Sequence, residues 1–133
     1  MKKYIFTAVF CLLTVVSVGA QSKKSAQVSK LYQNYIAIKS ALASDNADKT
    51  SKASSDFLKT ASAIDAKTLS QKDLNILKKE ASAISGTKNI NIQRKSFYQL
   101  SDSMIALTKE FRLSGSPVYV QYCPMAEGSW LKQ

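Results

Sequence analysis

Apolar residues recur at steps of three and four along most of the chain. Val28, Leu31, Tyr35, Ile38 and Leu42 form the first series, with Lys30, Gln33, Asn34 and Lys39 between them. That spacing predicts an amphipathic helix, because a strand would alternate with a period of two. A second series runs Ala53, Phe57, Ala61 and Ile64, flanked by Leu58, with Lys52, Ser55 and Lys59 on its polar side. Asp45 reads as its N-cap, a carboxylate able to accept from the first free backbone N–H groups. The third series is Leu74, Leu77, Ala81 and Ile84. It opens on Ser70-Gln71-Lys72-Asp73, a capping box with Asp in place of Glu, and stops at Gly86. The fourth begins near Asn89 and carries Phe97, Leu100, Met104, Leu107 and Phe111, with Gly115 beyond its end.

Four seams joined by short polar links predict an all-α fold, an antiparallel up-down four-helix bundle. The many Ala and Ser residues predict close helix approach in the second pair. After Pro117 the period changes: Val118, Val120 and Tyr122 alternate with Tyr119, Gln121 and Cys123, which is strand spacing. Pro117 and Cys123-Pro124 confine this to a short C-terminal extended segment. It is expected to lie along the bundle or to pair with an element outside this chain. Residues 126–133 offer little besides Trp130 with which to fold alone.

The N-terminus has a different character. Met1-Lys2-Lys3 is positive, Tyr4 to Val18 is almost purely apolar, and Val18-Gly19-Ala20 supplies short residues for cleavage. Residues 1–20 are therefore expected to be a signal peptide, placing the protein in the periplasm or outside the cell. Residues 21–133 would form a single helical-bundle domain with no integral membrane span after processing, the apolar run being shorter than the ~20 residues that a span requires. Phe10 stands before Cys11 where a lipoprotein signal needs a small residue, so lipid attachment there is not expected. Processing leaves Cys123 as the lone cysteine, which must be free, paired between molecules or bound to metal.

Composition narrows the chemistry further. The 133 residues hold 19 Lys plus Arg against 9 Asp plus Glu, a net charge of +10, and no histidine. Without imidazole there is no Ser-His-Asp triad, no Cys-His pair and no imidazole metal ligand. No nucleophile–base or carboxylate pair is evident from the spacing, so enzymatic activity is not expected. The lysines are dispersed over polar helix faces, and only Arg94 and Arg112 carry a guanidinium. Nucleic-acid binding favours clustered arginines and stacking aromatics, and is not expected here. Arg94, three residues before Phe97, is expected to pair with a bundle carboxylate.

The remaining candidate chemistry is soft. Cys123 and Met125 flank Pro124, and two residues apart they can place both sulfurs on one side of an extended chain. Thiolate and thioether ligands select Cu(I) or Ag(I). Met104 could supply a third sulfur if the extended segment folds across the fourth helix, and Trp130 could shield the metal face. The competing expectation is a small structural Cys123 packed beside Met125 and Trp130, with Met104 as a core filler.

The run from Tyr32 to Trp130 also resembles a known family. The matching pieces are Tyr35 to Leu42, Gln93-Arg94 with Phe97, Leu100-Ser101, and Val118-Tyr119 leading into Cys123-Pro124-Met125-Ala126, then Gly128 and Trp130-Leu131. They resemble an uncharacterised helical domain of Gram-negative envelope proteins, a domain of unknown function often found with periplasmic adaptor subunits of copper/silver efflux systems. The family pattern continues with a segment rich in Asn, Pro, Tyr and Gly, then a further Met and a Cys-Gly. This chain ends at Gln133, so the resemblance implies a domain truncated at its C-terminal end. The function expected is a periplasmic soft-metal binding or efflux-associated accessory module, with an efflux adaptor or another envelope protein as partner. The alternative is a helical envelope protein-interaction module in which Cys123 is structural and metal has no part.

Overall fold

The computed structural model describes residues 16–133, with side chains from Lys24 onward. The leader expected over residues 1–20 lies outside them, apart from Val16 to Ala20, which open the first helix. Four helices follow one another: α1 (Val16–Ala43), α2 (Ala47–Ala63), α3 (Gln71–Ser85) and α4 (Ile90–Leu107). Each packs against the next, so short links reverse the chain three times and give the up-down bundle that the seams predict. Two strands end the chain, β1 (Tyr119–Cys123) and β2 (Gly128–Lys132). Among the described residues no helix is long and apolar enough to cross a membrane.

The α1 seam is the spine of the core. Val28, Leu31, Tyr35, Ile38 and Leu42 are all buried, joined by Tyr32 and Ala41. The turn into α2 departs from the predicted cap. Asp45 adopts a left-handed backbone at φ 54°, and the N–H groups of Asp45 and Asn46 bond back to the carbonyls of Leu42 and Ala41. This is a Schellman ending for α1, with Asp45 at the position that glycine usually takes. Asn46 is the N-cap instead, its side chain accepting from the Lys49 N–H at 2.9 Å. Asp45 is left free to face outward, where it pairs with Arg94 as expected.

On α2 the inward stripe is Thr50, Ser54, Phe57 and Ala61, with Ala53 only half-buried. Thr50 and its neighbour Ser51 can sit inside because their hydroxyls find acceptors nearby, whereas Ser54 Oγ is buried without a partner. Thr50 Oγ1 donates to the Asn46 carbonyl at 2.7 Å, and Ser51 Oγ donates to the Ser85 carbonyl at 2.7 Å. The latter bond ties α2 to the end of α3. Helix α3 starts as its capping box predicts, with Ser70 Oγ accepting from the Asp73 N–H at 3.1 Å. Its seam of Leu74, Leu77, Ala81 and Ile84 is buried throughout.

Asn89 caps α4, whose buried stripe is Gln93, Phe97, Leu100, Ser101, Met104 and Leu107. Phe111 is not on this helix. The chain tightens after Leu107 into i→i−3 bonds, and Phe111 lies half-buried in the turn that follows, while Leu113 reaches the core. Gln93 is completely buried, and its amide nitrogen donates to the carbonyls of Ala47, Ile84 and Thr87. One side chain thereby fastens the start of α2 and the end of α3 to the start of α4.

The C-terminal segment lies along the bundle, and its strand partner comes from within the chain and not from outside it. β1 and β2 pair antiparallel, Tyr119 with Lys132 through Cys123 with Gly128, around a turn in which Glu127 has φ 48°. Residues 126–133 do not fold alone; β2 is held because it lies on α4, with Leu131 fully buried in the core. Helix α4 packs more extensively on β2 than on α1, so the hairpin fills much of the space along the bundle's closing seam.

Leu100→Ala removes a fully buried side chain, and is expected to lower unfolding free energy by about 2–5 kcal/mol. Lys59→Ala, on an exposed position, is expected to stay within about 0.5 kcal/mol of wild type. Urea denaturation followed by circular dichroism distinguishes these outcomes, and equal losses would contradict the packing described.

Candidate functional site

The hairpin is docked by two residues one turn apart on α1. The N–H of Leu131 donates to the Tyr35 hydroxyl at 3.0 Å, and the Leu131 carbonyl accepts from Lys39 Nζ at 3.2 Å. Residues i and i+4 share a helix face, so one stripe of α1 satisfies both polar groups of one strand residue. The Tyr35 hydroxyl also hydrogen-bonds Ser101 Oγ on α4 at 2.8 Å, and its ring stacks on Phe97 with centroids 5.0 Å apart. Burial pushes the Tyr35 phenol up to about 12, with the bonds to Ser101 and Leu131 pulling the other way.

Because the polar groups of Leu131 face α1, its pair with Val120 is a non-hydrogen-bonded position of the ladder. Alternation makes Tyr122–Ser129 another. The N–H and C=O of Val120 and Tyr122 therefore point to the outer edge of β1, where no further strand lies among the described residues. The same strand exposes large apolar side chains: Tyr119, Val120 and Tyr122 are each more than half accessible. On the inner strand, Gly128 is buried beneath Tyr98, and a Cβ there would overlap that ring. Tyr98 in turn stacks on Trp130, and Trp130 Nε1 donates to Gln121 Oε1 at 3.1 Å. The absence of a side chain at Gly128 lets the hairpin approach α4 this closely.

The three candidate sulfurs are not brought together. Met104 is 0% exposed in the core, whereas Met125 is 98% exposed at the hairpin turn. Two side chains in such opposite surroundings cannot share an ion, so the third sulfur expected from Met104 is not available to Met125. Cys123 ends β1, half-buried and in no disulfide, at the same end of the hairpin as Met125. Trp130 lies across from Gln121 and stacks on Tyr98, two register positions from Cys123. The exposure of Met125 also removes it from any packing beside Cys123. Among the described residues, no three His, Cys, Asp or Glu side chains converge on one point.

Sequence reasoning placed Tyr35 in an apolar seam and Lys39 on a polar face, and missed that both serve the hairpin. A tyrosine on an otherwise aliphatic buried stripe is itself a signal, because its hydroxyl needs a partner inside. Beside the docked strand lies an open cleft of about 380 Å³ between α1, α4 and the hairpin. Lys39 and Arg94 stand at it, together with Phe97, Tyr98 and Trp130.

These features define a small helical bundle that carries a docked two-stranded hairpin. The family described as "Protein of unknown function (DUF3347)" matches residues 31–116, from α1 through the turn after α4. The chain belongs to that family. No curated protein and no solved structure matches it.

The raised phenol of Tyr35 carries a pH dependence. A group that ionises later in the folded state gives stability that is intact below pH 10 and is lost as pH rises toward about 12. Tyr35→Phe is expected to cost about 1–3 kcal/mol at pH 7, because Leu131 N–H and Ser101 lose their partner. The deficit should shrink by up to about 2 kcal/mol between pH 10 and 12, as the wild-type tyrosine is forced to ionise. Denaturant midpoints of both proteins across that range provide the check, and a constant gap would refute the assignment.

Proposed function

We propose that this chain is a protein-interaction module of the cell envelope that recruits its partner along the outer edge of β1. The observation that carries this is the combination of free backbone groups at Val120 and Tyr122 with exposed Tyr119, Val120 and Tyr122 on one short strand. An unprotected edge strand is a template for strand addition, with main-chain bonds giving affinity and side chains giving selectivity. The net charge of +10 disfavours a second copy and favours an extended segment rich in Asp and Glu. The resemblance to a domain found with copper/silver efflux adaptors makes an adaptor subunit the first partner to test.

A photo-crosslinking residue in place of Tyr119 is expected to capture an extended acidic segment of a partner in envelope extracts. Val120→Pro removes an outward N–H while sparing the bonds to β2, and is expected to abolish capture with the fold intact. Adducts identical with and without the proline, or adducts only with a second copy of the chain, would overturn the proposal.

A soft-metal role is a second reading, supported by the half-buried Cys123, which is in no disulfide, and the fully accessible Met125 at one hairpin end. Two sulfurs would give a weak, exchangeable Cu(I) site suited to delivery, with Zn(II) held less well. Reduced protein should compete with a Cu(I) chelator under anaerobic conditions, and Cys123→Ser and Met125→Leu should each weaken that competition. Equal competition by all three proteins would end this reading and leave the strand-edge function standing.

A further inference from the structure

The cleft beside the hairpin has an apolar body and a charged end. Leu42 and Phe97 are buried at its base, and the rings of Tyr98 and Trp130 form its side. Two cations reach it, and their situations differ. Arg94 has its charge paired: its guanidinium donates to the Leu42 carbonyl at 3.1 Å and forms an ion pair with Asp45. It closes the end of α1 and holds the turn.

Lys39 is not engaged in that way. Its ammonium has three donors and makes one hydrogen bond, to the uncharged carbonyl of Leu131. The ion pairs among the described residues are Lys52–Asp56, Lys88–Asp48 and Arg94–Asp45, so no carboxylate there neutralises Lys39. The side chain is half-buried, and burial together with the like charge of Lys132 holds the ammonium below the usual lysine range. A desolvated cation with spare donors, at the edge of an aromatic surface, is complementary to an anion that carries an apolar body. The volume of about 380 Å³ falls within the range of small-molecule sites.

We propose that the cleft between α1, α4 and β2 binds a small amphipathic carboxylate, its apolar body against Phe97, Tyr98 and Trp130 and its carboxylate on Lys39. The site is independent of the outer edge of β1, so either function can fail without the other. Gln121 of β1 also lines the cleft, but through its side chain, which accepts from Trp130 Nε1, and not through the outward backbone groups of Val120 and Tyr122.

Trp130 is the only tryptophan of the chain and lines the cleft, so its fluorescence reports occupancy directly. The full chain is titrated with decanoate, below the concentration at which decanoate forms micelles, and in parallel with decanol. Decanoate should give a saturable change in Trp130 emission, with decanol at least tenfold weaker. Lys39→Gln keeps a donor for Leu131 and removes the charge. It should weaken decanoate at least tenfold and leave decanol unchanged. Ala43→Phe, which fills the cleft from an exposed position on α1, should abolish the response to both. Circular dichroism and denaturant midpoints establish that each variant is folded. No saturable response to decanoate, equal binding of decanoate and decanol, or undiminished decanoate binding by Lys39→Gln would each overturn the proposal.

Discussion

The Tyr35 hydroxyl is buried, and a buried hydroxyl without partners would cost more than the packing of its ring returns. Its two partners lie on different elements, Ser101 on α4 and the Leu131 backbone on β2. Satisfying one atom of α1 therefore fixes the distance from α1 to α4 and the position of a strand against both. Lys39, one turn later, secures the carbonyl of the same strand residue. A two-stranded hairpin of this length is marginal by itself in water. Here it acquires a buried Leu131 and partners for its inner edge, and becomes part of the core.

Much else in the bundle follows the same logic of polar groups used as fasteners. Gln93 bonds three carbonyls at the junction of α2, α3 and α4, although its own side-chain oxygen has no partner. Ser51 reaches across to α3, and Arg94 closes the end of α1 while it pairs with Asp45. Between α3 and α4, Glu80 accepts from Ser103 at 3.0 Å, but its second oxygen is buried and unpartnered. Burial raises that carboxyl, so whatever it contributes to stability is present at low pH and is lost as pH rises through its folded-state value. Such a group detracts from stability at neutral pH.

The functional consequences come from geometry that the docking imposes. Because β2 turns its polar edge to α1, β1 is left outermost, with its own alternate N–H and C=O groups facing solvent. Because Gly128 lets the strand approach Tyr98, Trp130 comes to lie beside α4 and one side of an apolar cleft is formed. Of the two cations at that cleft, Lys39 is the one that also holds the strand. Of the three candidate sulfurs, Cys123 and Met125 lie at the same end of the hairpin while Met104 is locked in the core.

The sequence by itself determined the helices, because local periodicity and capping are written in residues that are near neighbours. Val28 to Leu42, Leu74 to Ile84 and Ser70-Asp73 are all used as their spacing predicts. Where local signals competed, the outcome depended on a few atoms. Asp45 and Asn46 are both good caps, and the backbone reversal gave the left-handed position to one and the cap to the other. On α2 the buried face includes Thr50 and Ser54, which a purely apolar pattern passes over; the Thr50 hydroxyl finds its acceptor only in the folded helix, and Ser54 Oγ is buried without one. The hairpin, the pairing of Lys39 with Leu131 and the separation of Met104 from Met125 were decided by tertiary structure. Each rests on contacts between residues far apart in the chain, such as Tyr35 with Leu131, and one sequence read along its length does not record which distant group will satisfy a buried hydroxyl.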